Sequence, residues 1–420
     1  MTSVARFPLP RLAEAWLLLL APAAAAGPLA GVGSVFAYRL LLVAGIVACV
    51  VVLLRRRARH PLALAAGGLS ALTLLSSGIT WLWPGWPADG LIELLSLVAA
   101  LVCAAAALTL VPAARRLLVV ARGVVLTLLA EAGVVAWEYF SGLHLPTFAL
   151  VWDDDRFMGV WFMMAGTFAN PNELAHLCVV AGPVAAWAAL ADKSKPWRFA
   201  ALAATAAVPP MVWLSQSRTG LLVLAIELLV AALLWRWGRI LVAVAAAGAL
   251  ATALAAPGLV AATGLFADKD PLGSDNPRAN LALNGLHMLR ETWGLGVGPG
   301  GYARWSATAD LPHETFQLVN PHNAVVEVLV AYGVLPGLAF ATLLGAVFLW
   351  AVRSATLHWA SAQGRWLGAG AAAVVALWPL IGLANSHWMP LSWSMFEVTL
   401  LFVVADEVRR RARRATTLTA

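Results

Sequence analysis

The chain is cut into apolar runs of about 20 residues, the length a helix needs to cross a bilayer, and the links between the runs alternate in charge. The runs start near Leu12, Val35, Pro61, Leu91, Leu117, Pro171, Phe199, Leu221, Ile240, Asn323, Trp366 and Leu391. One set of links holds Arg55-Arg-Arg57 with Arg59, then Arg115 and Arg116, then Lys193, Lys195 and Arg198, then Arg236 and Arg239, then Arg353 and Arg365. With both tails and Arg122 this set carries 21 of the 28 Lys and Arg residues. The positive-inside rule puts the basic links and both termini in the cytoplasm, which an even number of spans allows. With 61% hydrophobic and 12% charged residues and a mean hydropathy of +0.82, the chain lies outside the soluble globular range. The net charge of +7 sits in the links, so it reads as topology and not as a nucleic-acid surface. The expectation is an all-α membrane protein of about 12 transmembrane helices. Arg6 and Arg11 precede the first span, which reads as a membrane helix and not as a cleaved leader.

One long stretch interrupts the apolar runs, and three units follow from it: residues 1–255 as spans 1–9, 256–322 as a helical segment outside the bilayer, and 323–420 as spans 10–12 with a basic tail. The alternation places the middle unit on the outer side, which in a bacterium is the periplasm. Neither ATP nor nucleotide sugars are available there, which disfavours kinases and nucleotide-sugar transferases. Trp81, Trp83 and Trp86 read as an aromatic belt at the same interface. The three cysteines (Cys49, Cys103, Cys178) lie within apolar runs and read as small core residues.

The pair Asn-Pro occurs at Asn170-Pro171, Asn276-Pro277 and Asn320-Pro321. Each reads as Asn at the N-cap and Pro at the first helical position. Glu173 adds a capping-box-like start to the first. Asn-Pro starts helices well in any setting. Three such starts on the outer face, beside arginines, also suit an anion, phosphate above all. Residues Asn276 to Trp293 read as an amphipathic helix with Leu281, Leu286, Leu289 and Trp293 as its apolar stripe. The run Gly294-Leu-Gly-Val-Gly-Pro-Gly-Gly301 stops it and reads as a hinge more than as a phosphate cradle.

Arg218 sits in the short outer link Ser215-Gln-Ser-Arg-Thr-Gly220. It either snorkels to lipid phosphate or anchors a ligand phosphate through its planar, permanently charged fork. Arg278 and Arg290 are about 120° apart around their helix at ~100° per residue, so only one of them reaches a common site. His322 follows Pro321 at a helix start, where the positive helix end favours the neutral imidazole of a general base. The other histidines read as structural. Asp153-Asp154-Asp155 reads as a solvated loop, with a divalent-cation site as the alternative. No second His or Cys lies at ligand spacing, so no metal site is expected.

Four segments together resemble the O-antigen ligase/polymerase family of bacterial inner-membrane glycosyltransferases. They are Gly166-Thr-Phe-Ala-Asn-Pro-Asn-Glu-Leu-Ala175, Ser215 to Gly220, Arg278 through Gly298, and Pro321-His322-Asn323 with Glu327 and Gly333. The resemblance implies a GT-C-like helical fold with the large periplasmic segment between spans 9 and 10. It also implies transfer of a glycan from undecaprenyl pyrophosphate to the sugar core of lipid A, without cofactor or metal. An arginine after the seventh span, an arginine opening the periplasmic helix and a histidine before the tenth span map onto Arg218, Arg278 and His322. Arg290 is offset and stands in reserve, with Asn170 and Asn323 as further substrate contacts. Polymerisation of the repeat unit and glycosylation of pilin belong to the same family. A lipid-linked sugar transporter or flippase is the alternative of another class.

Overall fold

The computed structural model describes residues 9–32, 35–55, 60–80, 82, 88–147, 163–235, 238–240, 242–244, 275–314, 321, 323–356, 361–383 and 392–419. The aromatic belt, the Asp153 to Asp155 cluster, Asn320, His322 and most of the ninth span lie outside the described residues.

The described chain is almost entirely helical. Its helices are α1 (Leu9–Ala26), α2 (Ala37–Arg55), α3 (Pro61–Thr80), α4 (Ala88–Leu110), α5 (Ala113–Ser141), α6 (Pro171–Ala191), α7 (Lys195–Ser215) and α8 (Arg218–Leu233). There follow α9 (Asp275–Glu291), α10 (Gly301–Thr308), α11 (Ala324–Tyr332), α12 (Val334–Thr356), α13 (Ala362–Ile381) and α14 (Ser392–Thr419). A two-stranded ribbon, β1 (Gly31–Val32) with β2 (Val35–Phe36), joins α1 to α2. Seven described helical stretches are long and apolar enough to cross a membrane: Arg11–Ala30, Pro61–Thr80, Gly90–Leu110, Ala113–Ser141, Pro171–Ala191, Val334–Thr356 and Ala362–Ile381. The chain is a multi-pass, all-α membrane protein.

The tenth apolar run is not one helix. The short α11 ends at Gly333, whose φ of 88° is left-handed, and α12 begins at the next residue. Hydropathy is blind to such a break, because α11 and α12 are equally apolar.

Side-chain contacts fix which ends of α6 and α13 lie together. Gln363 Nε2, at the start of α13, donates to the Leu190 carbonyl at the end of α6 at 2.8 Å. Midway along the same pair, a Cβ at Gly370 would stand 3.0 Å from that of Pro183. The start of α6 and the end of α13 therefore share the opposite end of the bundle.

The basic links gather at the first of these ends, where they are structural as well as topological. The buried Arg116 donates to Asp406 Oδ2 at 2.6 Å and to the carbonyls of Leu108 and Val111 at 2.6 and 2.9 Å. Arg410 Nε and His60 Nε2 approach the same carboxylate at 3.1 and 3.2 Å, which locks α5, α14 and the start of α3 together. Arg122 forks onto Asp192 at 2.7 and 3.0 Å, and the Ser194 N–H donates to Asp192 at 2.9 Å. Burial alone would raise the Asp192 carboxyl, but Arg122 and the Ser194 N–H outweigh it and hold it below the ordinary carboxylate range. Because the folded value is depressed, this contribution is present above the unfolded value of about 3.9 and is lost as the pH falls through the folded one. Thermal melts of wild type and Asp192→Asn should differ at pH 6, and the gap should close as the pH is taken below the unfolded value.

Candidate functional site

At the opposite end of the bundle the chain collects three helix starts. Asn170 caps α6 as its sequence predicts: it is extended (φ −137°, ψ 134°), its Oδ1 accepts the Asn172 N–H at 2.9 Å, and Pro171 opens the helix. Glu173 stands buried in the first turn, at the third helical position.

The segment leading into this cap is held by two carboxylates that the sequence reading missed. Glu138, fully buried on α5, accepts the N–H groups of Ala165 and Gly166 at 3.1 and 2.8 Å, and its other oxygen stands 2.8 Å from His144 Nδ1. Glu131 accepts the N–H and hydroxyl of Thr167 at 3.0 and 2.6 Å. A Cβ at Gly166 (φ +63°) would stand 2.3 Å from Glu131 Oε2. The available signal was two carboxylates seven residues apart, on one face of an otherwise apolar helix. The Met164 N–H also donates to the Leu214 carbonyl at 3.0 Å, tying this segment to the end of α7.

Arg218 is the first residue of α8. Gln216 turns the chain with φ 54°, and Ser217 caps the helix by accepting the Gly220 N–H at 3.2 Å. Gly220 is pressed against α6, because a Cβ there would stand 2.6 Å from that of Ala175. The starts of α6 and α8 are thus neighbours. The Arg218 side chain is exposed, and no ion pair holds it among the described residues.

The third start is displaced from its predicted position. Asn323, not Asn320, caps α11: its Oδ1 accepts the N–H groups of Val325 and Val326 at 3.0 and 3.1 Å. This commits the Asn323 side-chain oxygen to the helix cap. His322 lies outside the described residues, but its place in sequence is one residue before the cap and not in the first turn. The Ala324 N–H donates to the Gly382 carbonyl at 3.1 Å, so the start of α11 sits on the end of α13 at the same end of the bundle as Asn170 and Arg218.

The second Asn-Pro pair also shifts. Helix α9 begins at Asp275, which places Asn276 inside the first turn and Arg278, exposed, at its fourth residue. The predicted apolar stripe is corrected as well. Leu281, Asn284, Gly285, Met288 and Thr292 are buried, whereas Leu286 and Trp293 are exposed. Asn284 is buried because its amide exchanges two bonds with the backbone of His313, at 2.7 and 3.2 Å. Leu281, Met288, Val297, Tyr302, Val326 and Val330 form a small core that fastens α9 and α10 onto α11. The Tyr302 hydroxyl donates to the Leu281 carbonyl at 2.6 Å, and burial raises its pKa.

The glycine run is the seat for the α11–α12 break. The Val297 N–H donates to the Val330 carbonyl at 2.7 Å, and the Val334 N–H donates to the Gly294 carbonyl at 2.8 Å. The N–H groups of Gly294, Leu295, Gly296 and Gly301 turn onto acceptors within the segment. The Gly300 N–H donates to Glu93 Oε2 on α4 at 2.8 Å, and Glu93 Oε1 accepts the Tyr332 hydroxyl at 3.1 Å. With its donors committed in this way, the run has little left to offer a phosphate.

Among the described residues no group of three or more His, Cys, Asp or Glu is gathered as a metal site. An apolar groove lies between α6, α12, α13 and α14, lined by Val180, Pro183, Phe340, Leu344, Trp378 and Val398. A second lies between α6, α7, α8 and α13 and carries Glu227, whose buried Oε1 meets no hydrogen-bond partner among the described residues.

No curated protein matches the chain. A family model described as O-Antigen ligase matches residues 203–342, a span that contains Arg218, Arg278, Arg290, His322 and Asn323 and leaves Asn170 outside it. Residues 203–342, a third of the chain at the centre of a multi-pass helical bundle, are thus similar to an O-antigen ligase domain.

Proposed function

We propose that the protein is an O-antigen ligase of the bacterial inner membrane, acting on its periplasmic face. It would transfer a glycan from undecaprenyl pyrophosphate to a sugar hydroxyl of lipid A-core. The observation that carries this reading is the gathering of the α6, α8 and α11 starts at the bundle end opposite the basic links, within a chain that carries the family's domain. Helix starts, and arginines with no ion-pair partner among the described residues, favour a pyrophosphate there. Arg218 and Arg278 bind the pyrophosphate and neutralise the charge that grows on it as the bond to the sugar's anomeric carbon breaks. The acceptor hydroxyl attacks that carbon from the opposite face, His322 takes its proton, and undecaprenyl pyrophosphate leaves with the bonding pair. One displacement inverts the anomeric centre and needs no metal. The apolar groove against α6 and α12 suits part of the polyprenyl chain.

The test combines purified protein with lipid-linked O-antigen, with and without lipid A-core. Product on lipid A-core identifies a ligase. Longer glycan on the polyprenyl carrier identifies a polymerase, and glycan on added pilin an oligosaccharyltransferase. Arg218→Ala and Arg278→Ala should each lower transfer by about 10²–10³-fold. A loss of only a few-fold removes that residue from the site, and loss of activity in EDTA overturns the metal-independent mechanism.

One observation favours the transporter reading. Glu227 is a carboxyl in an apolar groove beside Pro183 and Pro209, and membrane-embedded ionisable groups mark substrate and ion pathways. Movement of the lipid-linked glycan across vesicles with no covalent product decides for it.

A further inference from the structure

We infer that helix α9 lies in the lipid–water interface of the outer leaflet, with Arg290 on a phospholipid phosphate. Around α9 the side chains divide cleanly. Leu281, Asn284, Met288 and Thr292 face the small core and are buried. Ala279, Leu283, Leu286 and Arg290 fall within about 60° of one another at ~100° per residue, on the opposite side, and Trp293 follows two residues past the helix end in a left-handed turn (φ 55°). All five are exposed, with Leu283 at 45%, Leu286 at 48% and Trp293 at 93%. Three large apolar groups around one arginine make a poor water-facing surface but a good interfacial one.

The position of this face identifies its occupant. Trp293 is followed by Gly294, whose carbonyl accepts the N–H of Val334, the first residue of a membrane span. That span turns Leu335 and Leu338 outward, 66% and 57% exposed. The apolar face of α9 therefore sits where a lipid-facing helix enters the bilayer. Trp at this level is an interfacial anchor, and an arginine among such residues reaches lipid phosphate. This separates the two arginines of α9. Arg290 belongs to the lipid face and holds the helix down, while Arg278 lies roughly 100° away from the centre of that face, free to turn toward the helix starts.

The test does not depend on transfer activity, so its failure and failure of the ligase reading are distinguishable. The native cysteines are buried, so single cysteines can be added to the full chain and spin-labelled in phospholipid nanodiscs. Labels at Ala279→Cys, Leu286→Cys and Trp293→Cys should be relaxed more by oxygen than by a water-soluble nickel chelate. A label at Glu291→Cys, exposed on another side of the helix, should show the reverse. Ala279→Cys is a small change on an exposed site and keeps the test valid if the larger substitutions disturb folding. Nickel-dominated relaxation at all of these positions overturns the inference. Dipolar broadening between labels at 286 overturns it in favour of a second copy of the chain.

Discussion

Gly333→Ala is expected to separate the outer segment from the bundle and to abolish transfer. Gly333 has φ 88° and ψ 172°, a backbone region that is essentially glycine's alone. A Cβ there would stand 2.6 Å from the Leu295 carbonyl oxygen and 3.0 Å from that of Gly294. Both contacts are backbone, and both residues are fixed by the reciprocal bonds between the glycine run and the α11–α12 break. Neither can yield without breaking the Val334-to-Gly294 or Val297-to-Val330 bond. Backbone strain alone costs about 1–3 kcal/mol, and overpacking against fixed backbone typically adds about 1–3 kcal/mol more. The thermal midpoint in detergent should fall markedly, with transfer lost in parallel. Gly345→Ala, in the same span as Val334, is the control: nothing lies within 4 Å of a Cβ there, so stability and activity should stay near wild type. A Gly333→Ala protein that melts and transfers like Gly345→Ala would show that the break is not needed.

Helix placement was largely legible in the sequence, because apolar runs of spanning length have one stable form in lipid. The helices at Pro61 and Pro171 begin at the predicted residues, and the cap at Asn170 forms as its Asn-Pro-Asn-Glu pattern requires. What failed has a common cause: hydrophobicity reports that a residue avoids water, not what it touches instead. Leu286 and Trp293 read as part of the apolar stripe of α9 but are exposed, because a lipid-facing stripe and a protein-facing stripe share one composition. Asn284 was passed over for being polar, yet it is buried because its amide is paired with backbone. The third cap moved from Asn320 to Asn323 because both asparagines precede the same apolar run and hydropathy cannot choose between them. Glu93, Glu131 and Glu138 escaped notice because their partners are backbone groups distant in sequence.

The placement of Asn323 makes the histidine prediction sharper. Asn323 and His322 are neighbours with separable tasks: one caps α11, the other is the proposed base. Asn323→Ala removes the acceptor for two N–H groups and should cost about 1 kcal/mol of stability. Its effect on transfer should be modest, and Asn323→Asp, which keeps the capping oxygen, should restore the stability. His322→Ala should leave the melting temperature near wild type and lower transfer by about 10²–10⁴-fold, the range for loss of a general base. The residual rate should lose the part of the pH dependence that comes from ionisation of the general base. Binding of the lipid-linked donor should persist, because the arginines and not the imidazole hold the pyrophosphate. If His322→Ala instead weakens donor binding and keeps the wild-type pH profile, the histidine belongs to the pyrophosphate site and another group takes the acceptor proton.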